Sequence, residues 1–128
     1  KAAFVHALAS EDRYIHVLSQ GKPRLWETEG WSEKIGLTTP PGRDGGWDEI
    51  KKKTVQLAPV LAYAQAVRAA TDAYLARLTA GELDREVKWL DQTRLVADLL
   101  VMLANHAASH AGEMAAVKGI QGVKGLPF

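Results

Sequence analysis

The chain has 128 residues, 47% hydrophobic and 24% charged, an ordinary globular mixture of a size that fits one domain with one core. Lys and Arg number 16 against 15 Asp and Glu, for a net charge of +1, so no large field draws the chain to nucleic acid or to anionic lipid. The absence of cysteine removes disulfides, thiolate metal sites and cysteine nucleophiles together, and no apolar run reaches membrane-spanning length. With no secretory signal in view, a cytoplasmic protein is the simplest expectation. Lys51, Lys52 and Lys53 are the densest basic run and, beside Asp48 and Glu49, read as a solvated face.

Residues 2–18 repeat apolar groups at helical spacing through Phe4, Leu8, Ile15 and Leu18, and Gly21 and Pro23 end this first helix. The chain opens in the middle of that pattern, so the expectation is a domain that is incomplete at its N-terminus. From Lys22 to Gly46 the pattern dissolves into Gly, Pro and Thr, with Trp26, Trp31, Leu37 and then Trp47 as single anchors. A connection of about 25 residues should have a job or contain short turns, for which Trp31–Ile35 and Asp48–Lys53 are the candidates. Residues 57–78 form the second long helix, with Pro59 tolerable only in its first turn and Leu57, Val60, Leu61, Val67, Tyr74 and Leu78 on the apolar side. Thr79 and Glu82 offer a capping box, and residues 82–91 are expected to cross back as a polar linker. Thr93 is the expected cap of a third helix from Arg94 to Lys118, roughly 36 Å long, ended by Gly119. Residues 119–128 are expected to pack over a surface. Three long helices make an incomplete layer, which a fourth helix before Lys1 or from a partner would complete.

The four histidines are His6, His16, His106 and His110. His106 and His110, four apart on a helix, project from one face and can share one divalent ion. Glu113 lies near the same face as a fourth ligand, an acceptor for an imidazole N–H, or a base. Such a pair on an arbitrary helix is more often structural or solvent-facing than metal-bound. Here Leu99, Leu103 and Val117 share its face, so it points at a core where unpaired imidazoles are costly. A third ligand must come from elsewhere, and His6 is a better candidate than His16. His6 lies away from the centre of the Phe4, Leu8, Ile15 stripe, yet in a bundle that flank still faces a neighbour, and Glu11 falls within the stripe itself.

Taken together, Phe4-Val5-His6-Ala7-Leu8-Ala9-Ser10-Glu11-Asp12-Arg13-Tyr14, the tryptophan-bearing loop and Asn105-His106-Ala107-Ala108-Ser109-His110-Ala111-Gly112-Glu113-Met114 resemble the DinB-like (damage-inducible, YfiT-like) family of metalloenzymes over nearly the whole chain. The resemblance implies an all-α, up-up-down-down four-helix bundle, of which this chain holds three long helices and the long crossover. It also implies His6, His106 and His110 as metal ligands, a homodimer, and in some relatives a low-molecular-weight thiol cofactor in transferase or isomerase reactions. DNA binding is not expected, because the chain has no aromatic-basic stripe.

The function expected is that of a metal-dependent transferase, isomerase or hydrolase acting on a small molecule, with zinc or nickel at three imidazoles that leave coordination positions open. In that reading Glu113 orients a histidine or moves a proton, Arg13 neutralises a ligand carboxylate, as Arg24 also could, and Trp26, Trp31 and Trp47 wall the pocket, the alternative for the tryptophans being to anchor the crossover. The alternatives are a metal or small-ligand binding dimer without turnover, and a structural role in which the histidines satisfy one another.

Overall fold

A computed structural model describes residues 1–125. Helix α1, Ala2–Asp12, continues through a π-helical stretch, Arg13–Leu18, so the first helix is one rod whose C-terminal third is wider. Val5, Leu8 and Ile15 fall on its buried side.

The long crossover is built from short helices: α2 (Leu25–Thr28), α3 (Trp31–Ile35) and α4 (Trp47–Lys52). Both turns expected from the sequence form, the second one residue earlier. Trp26, Trp31, Ile35, Leu37 and Ile50 are buried with Val5, Leu8, Val60, Tyr63 and Val67 in one cluster. Tyr63 is fully buried in it, its ring centroid 5.4 Å from that of Trp26 and 5.4 Å from that of Trp31. The Asp12 carboxylate accepts hydrogen bonds from the Tyr63 hydroxyl at 2.7 Å and from the Leu25 and Trp26 N–H groups, each at 3.0 Å. This buried acid therefore caps α2 and ties the crossover to α1 and to the helix that carries Tyr63. Burial and the Asp12 charge push the Tyr63 hydroxyl above its ordinary pKa, so it stays a donor.

Helix α5, Leu57–Leu75, carries Pro59 in its first turn, where no intrahelical N–H is lost. Its buried stripe is Val60, Tyr63, Val67, Thr71 and Tyr74; Leu57 and Leu61, expected on that side, are exposed. The helix stops three residues before Leu78. Thr79 then caps α6 (Ala80–Leu83) by accepting from the Glu82 N–H at 3.2 Å, while the Glu82 carboxylate turns to Arg85 and Tyr74 instead of completing the capping box.

Residues 82–91 are not a polar linker. A hairpin forms from β1 (Glu86–Trp89) and β2 (Gln92–Leu95), antiparallel, with Glu86 opposite Leu95 and Trp89 opposite Gln92. Thr93 lies in β2 and caps nothing. Helix α7 begins two residues later than expected and runs Val96–Ile120, with the Asp98 carboxylate accepting from the Leu95 N–H at 3.2 Å in its first turn. Val96, Leu99 and Leu103 bury against Ile15, Tyr74 and Val87 as a second cluster. Val117 does not share that burial; it and Ile120 are exposed. Past α7, residues 121–124 are exposed, and the part of the expected surface packing that falls on 126–128 lies outside the described residues.

Helix α1 packs against both α5 and α7, so the architecture is mostly helical and bundle-like with a small hairpin. Among the described residues no helix is long and apolar enough to cross a membrane.

Candidate metal centre

Three histidines from the two ends of the chain meet where α1 crosses α7. One ring nitrogen from each of His6, His106 and His110 lies within 4.8 Å of the others. The contacts run through Nε2: His106 Nε2 is 3.1 Å from His6 Nε2 and 3.2 Å from His110 Nε2. The rings sit edge to face, with centroids 4.4 to 5.0 Å apart. The i, i+4 spacing on α7 supplies two of them, and His6 reaches them because the flank of α1 faces α7.

What lies behind each ring decides its tautomer. His6 Nδ1 is 2.8 Å from the Pro41 carbonyl, which can only accept, so that nitrogen carries the proton and Nε2 presents a lone pair. His110 Nδ1 is 2.6 Å from Glu113 Oε2, and the same logic leaves its Nε2 bare. Two lone pairs thus face His106 Nε2 from opposite partners. A proton on His106 Nε2 satisfies one of those contacts and leaves the other as two acceptors in contact, whereas a cation at the convergence satisfies all three. The donor set therefore fits a divalent ion. His106 Nδ1 is buried without a partner among the described residues. Burial first, then the imidazoles of His110 and His6, push the His106 pKa below its ordinary value, which keeps the ring neutral and able to act as a ligand.

The crossover's job is visible here. Gly46, at φ 78°, passes so close to the preceding loop that a Cβ would lie 2.5 Å from the Thr39 carbonyl oxygen and 2.6 Å from that of Pro40. Glu49 on α4 accepts from the Thr38 N–H at 3.0 Å, and Lys53 bonds both Glu49 and the Gly36 carbonyl. The hydrogen bond from Lys53, then that from the Thr38 N–H, holds the Glu49 carboxyl at about 2, well below the usual range. This pinned loop presents the Pro41 carbonyl to His6 and lays the Trp47 ring against it, centroids 4.9 Å apart, with Trp47 Nε1–H donating to the Gly42 carbonyl.

A cleft of about 320 Å³ opens beside the triad, lined by His6, His106, Arg13, Tyr14, Arg43 and Leu90 among others. Arg13 lines the cleft, and Glu113 touches His110 from outside the convergence. Trp26 and Trp31 are not walls of this cleft. Both are core residues packed on Tyr63, with the Trp31 Nε1–H donating to Glu29, because anchoring the crossover consumes their apolar surface. Of the three tryptophans the sequence offered as walls or anchors, Trp47 is the one whose ring lies against the triad, beside His6. His16 lies apart, its Nδ1 2.8 Å from Asp12 Oδ1. Glu11 also faces away, accepting from the Thr71 hydroxyl at 2.7 Å and from Arg68 at 3.3 Å. Sequence reasoning missed Pro41, whose backbone carbonyl leaves no residue-type signal, and Arg43 and Leu90, which sit on connections.

No curated protein matches the chain. The sequence profile described as the DinB superfamily matches residues 3–114, a span that contains all three histidines and the crossover between them. By that match the chain belongs to the DinB superfamily.

Proposed function

We propose that His6, His106 and His110 hold one divalent ion through their Nε2 atoms, zinc or nickel among the metals an all-imidazole set suits, and that the protein is a metal-dependent enzyme acting on a small molecule. The observation that carries this reading is the convergence of three Nε2 atoms, two of them on rings whose Nδ1 faces an acceptor, the Pro41 carbonyl or the Glu113 carboxylate. A bound ion would supply Lewis-acid activation of water or of the sulfur of a low-molecular-weight thiol, which fits hydrolase chemistry or thiol-dependent transferase and isomerase chemistry.

The remaining work falls to the chain. Pro41 and Glu113 fix the planes of His6 and His110 before any ligand arrives. Glu113 approaches from the far side of His110, so it does not close the coordination sphere, and the cleft side stays available to a substrate; this favours turnover over storage. Its side chain is 62% exposed, so the oxygen not engaged with His110 can exchange a proton with solvent. Arg13 lines the cleft as the candidate for holding the ligand. Metal-loaded protein, prepared by demetallation and re-addition of zinc or nickel, tests the reading: a metal-dependent hydrolase or thiol-transfer activity lost in His106→Ala supports it, and metal binding that survives in all three histidine variants refutes it.

A further inference from the structure

We propose that the cleft beside the triad binds a small organic carboxylate, its anionic group held by Arg13 and Arg43 and its apolar part resting on Leu90 and Trp89. The proposal deepens the metal-site reading and rests on it only for which end of the ligand reacts.

Charge is the first observation. Arg13, Arg24 and Arg43 line the cleft with Asp44 as the only acid among the described residues there. Arg24 is already tied to Glu27, its Nε donating at 2.8 Å. Arg13 and Arg43 have no ion pair or side-chain hydrogen bond among the described residues, where Arg68, Arg77, Arg85 and Arg94 each have at least one such bond. Arg13 is also half-buried, and it leaves α1 where the helix widens into its π-helical stretch. A guanidinium beside the cleft without an internal partner is available to a carboxylate from outside, which its planar fork matches with two bonds. Two unpaired arginines against Asp44 leave one net positive charge, the complement of a monoanion.

Backbone strain is the second. Leu90, in the two-residue turn between Trp89 and Gln92, has φ 58° and is the one non-glycine residue with a left-handed backbone among the described residues. Such a turn favours Gly, Asn or Asp, and a branched side chain there is strained. Core packing does not explain it, because Leu90 is 49% exposed. Its side chain lines the cleft beside Trp89. An apolar contact with a ligand accounts for a leucine where glycine would be easier. The cleft, at about 320 Å³, is at the lower end of small-molecule sites, so the ligand is compact.

The test is a titration of the zinc-free and the zinc-loaded chain with benzoate, with acetate lacking the ring and benzamide lacking the charge, followed by tryptophan fluorescence. Zinc binding is measured on the same samples. Benzoate is expected to bind both forms saturably, at least about tenfold more tightly than benzamide, and Arg13→Met and Arg43→Met are each expected to weaken it by about tenfold while zinc still binds. Leu90→Gly is expected to weaken benzoate but not acetate, with an unchanged or higher Tm. Equal affinity for benzoate and benzamide, arginine variants that titrate like the parent, or no saturable binding of either carboxylate overturns the proposal. Loss of zinc binding with arginine-dependent benzoate binding intact refutes the metal site alone, and zinc binding with benzoate indifferent to the arginines refutes this inference alone.

Discussion

Helix α1 carries two polar centres that solve opposite problems. At Asp12 one buried carboxylate meets donors supplied by the chain: two backbone N–H groups, the Tyr63 hydroxyl and the His16 ring. At His6 the chain does the reverse, using Pro41 and Glu113 to fix protons on the outer nitrogens and turn inner lone pairs toward His106. The first network is closed and holds the crossover in place. The second is open, with three ring nitrogens placed so that they can take a metal ion. The contrast teaches that a histidine's role follows from what its second nitrogen touches: His16 is spent on Asp12, while His6 is reserved.

Breaking the closed centre should cost the most. Asp12→Ala leaves the Leu25 and Trp26 N–H groups and the Tyr63 hydroxyl buried without an acceptor, and urea unfolding is expected to show a loss of about 3–5 kcal/mol. A loss below about 1 kcal/mol would mean that water replaces the carboxylate and the centre is not closed. The open centre should respond in metal affinity instead. His6→Ala, His106→Ala and His110→Ala are each expected to lower zinc affinity by more than about 100-fold, beyond what loss of a supporting partner does, with little change in far-UV circular dichroism. Glu113→Ala removes only the partner of His110 Nδ1, and calorimetry should show a drop of about tenfold in zinc affinity. His16→Ala sharpens the comparison from the other side: zinc affinity should stay at the parent value, and a loss equal to that of His106→Ala would erase the distinction between the two centres.

The smallest effect lies on the acid limb of stability. The Glu49 and Glu82 carboxyls are held at about 2 in the folded chain against 4.5 ordinarily, so their contribution is present above pH 4.5 and is lost as pH falls from there toward 2. Glu49→Gln should flatten that part of a stability profile, and an unchanged acid limb would show that the Lys53 and Thr38 contacts do not hold in solution.

The sequence carried the two ends of the site better than its middle. His106 and His110 are legible because four-residue spacing on a helix forces a shared face, and Leu99 and Leu103 on that face gave its direction. His6 was harder, since its angle on α1 departs from the apolar stripe, and the resemblance to the DinB family made the choice firm. The hairpin was hidden because its turn is Leu90-Asp91, with neither the glycine nor the asparagine that marks a two-residue connection, and its strands are only four residues each. Trp26, Trp31 and Trp47 looked equivalent as isolated anchors, and only the path of the crossover separates the two that fill the core from the one that meets His6. Leu57 and Leu61 fall on the apolar side by periodicity yet are exposed, because helical periodicity reports an apolar face without reporting what covers it.

The most direct measurement is X-ray absorption at the metal edge, with elemental analysis, on protein purified without an affinity tag. The account predicts one divalent ion per chain with three imidazole nitrogens in its first shell, at about 2.0 to 2.1 Å if the metal is zinc, and loss of that signal in His106→Ala. A first shell without imidazole, or the same metal content in parent and variant, would contradict it.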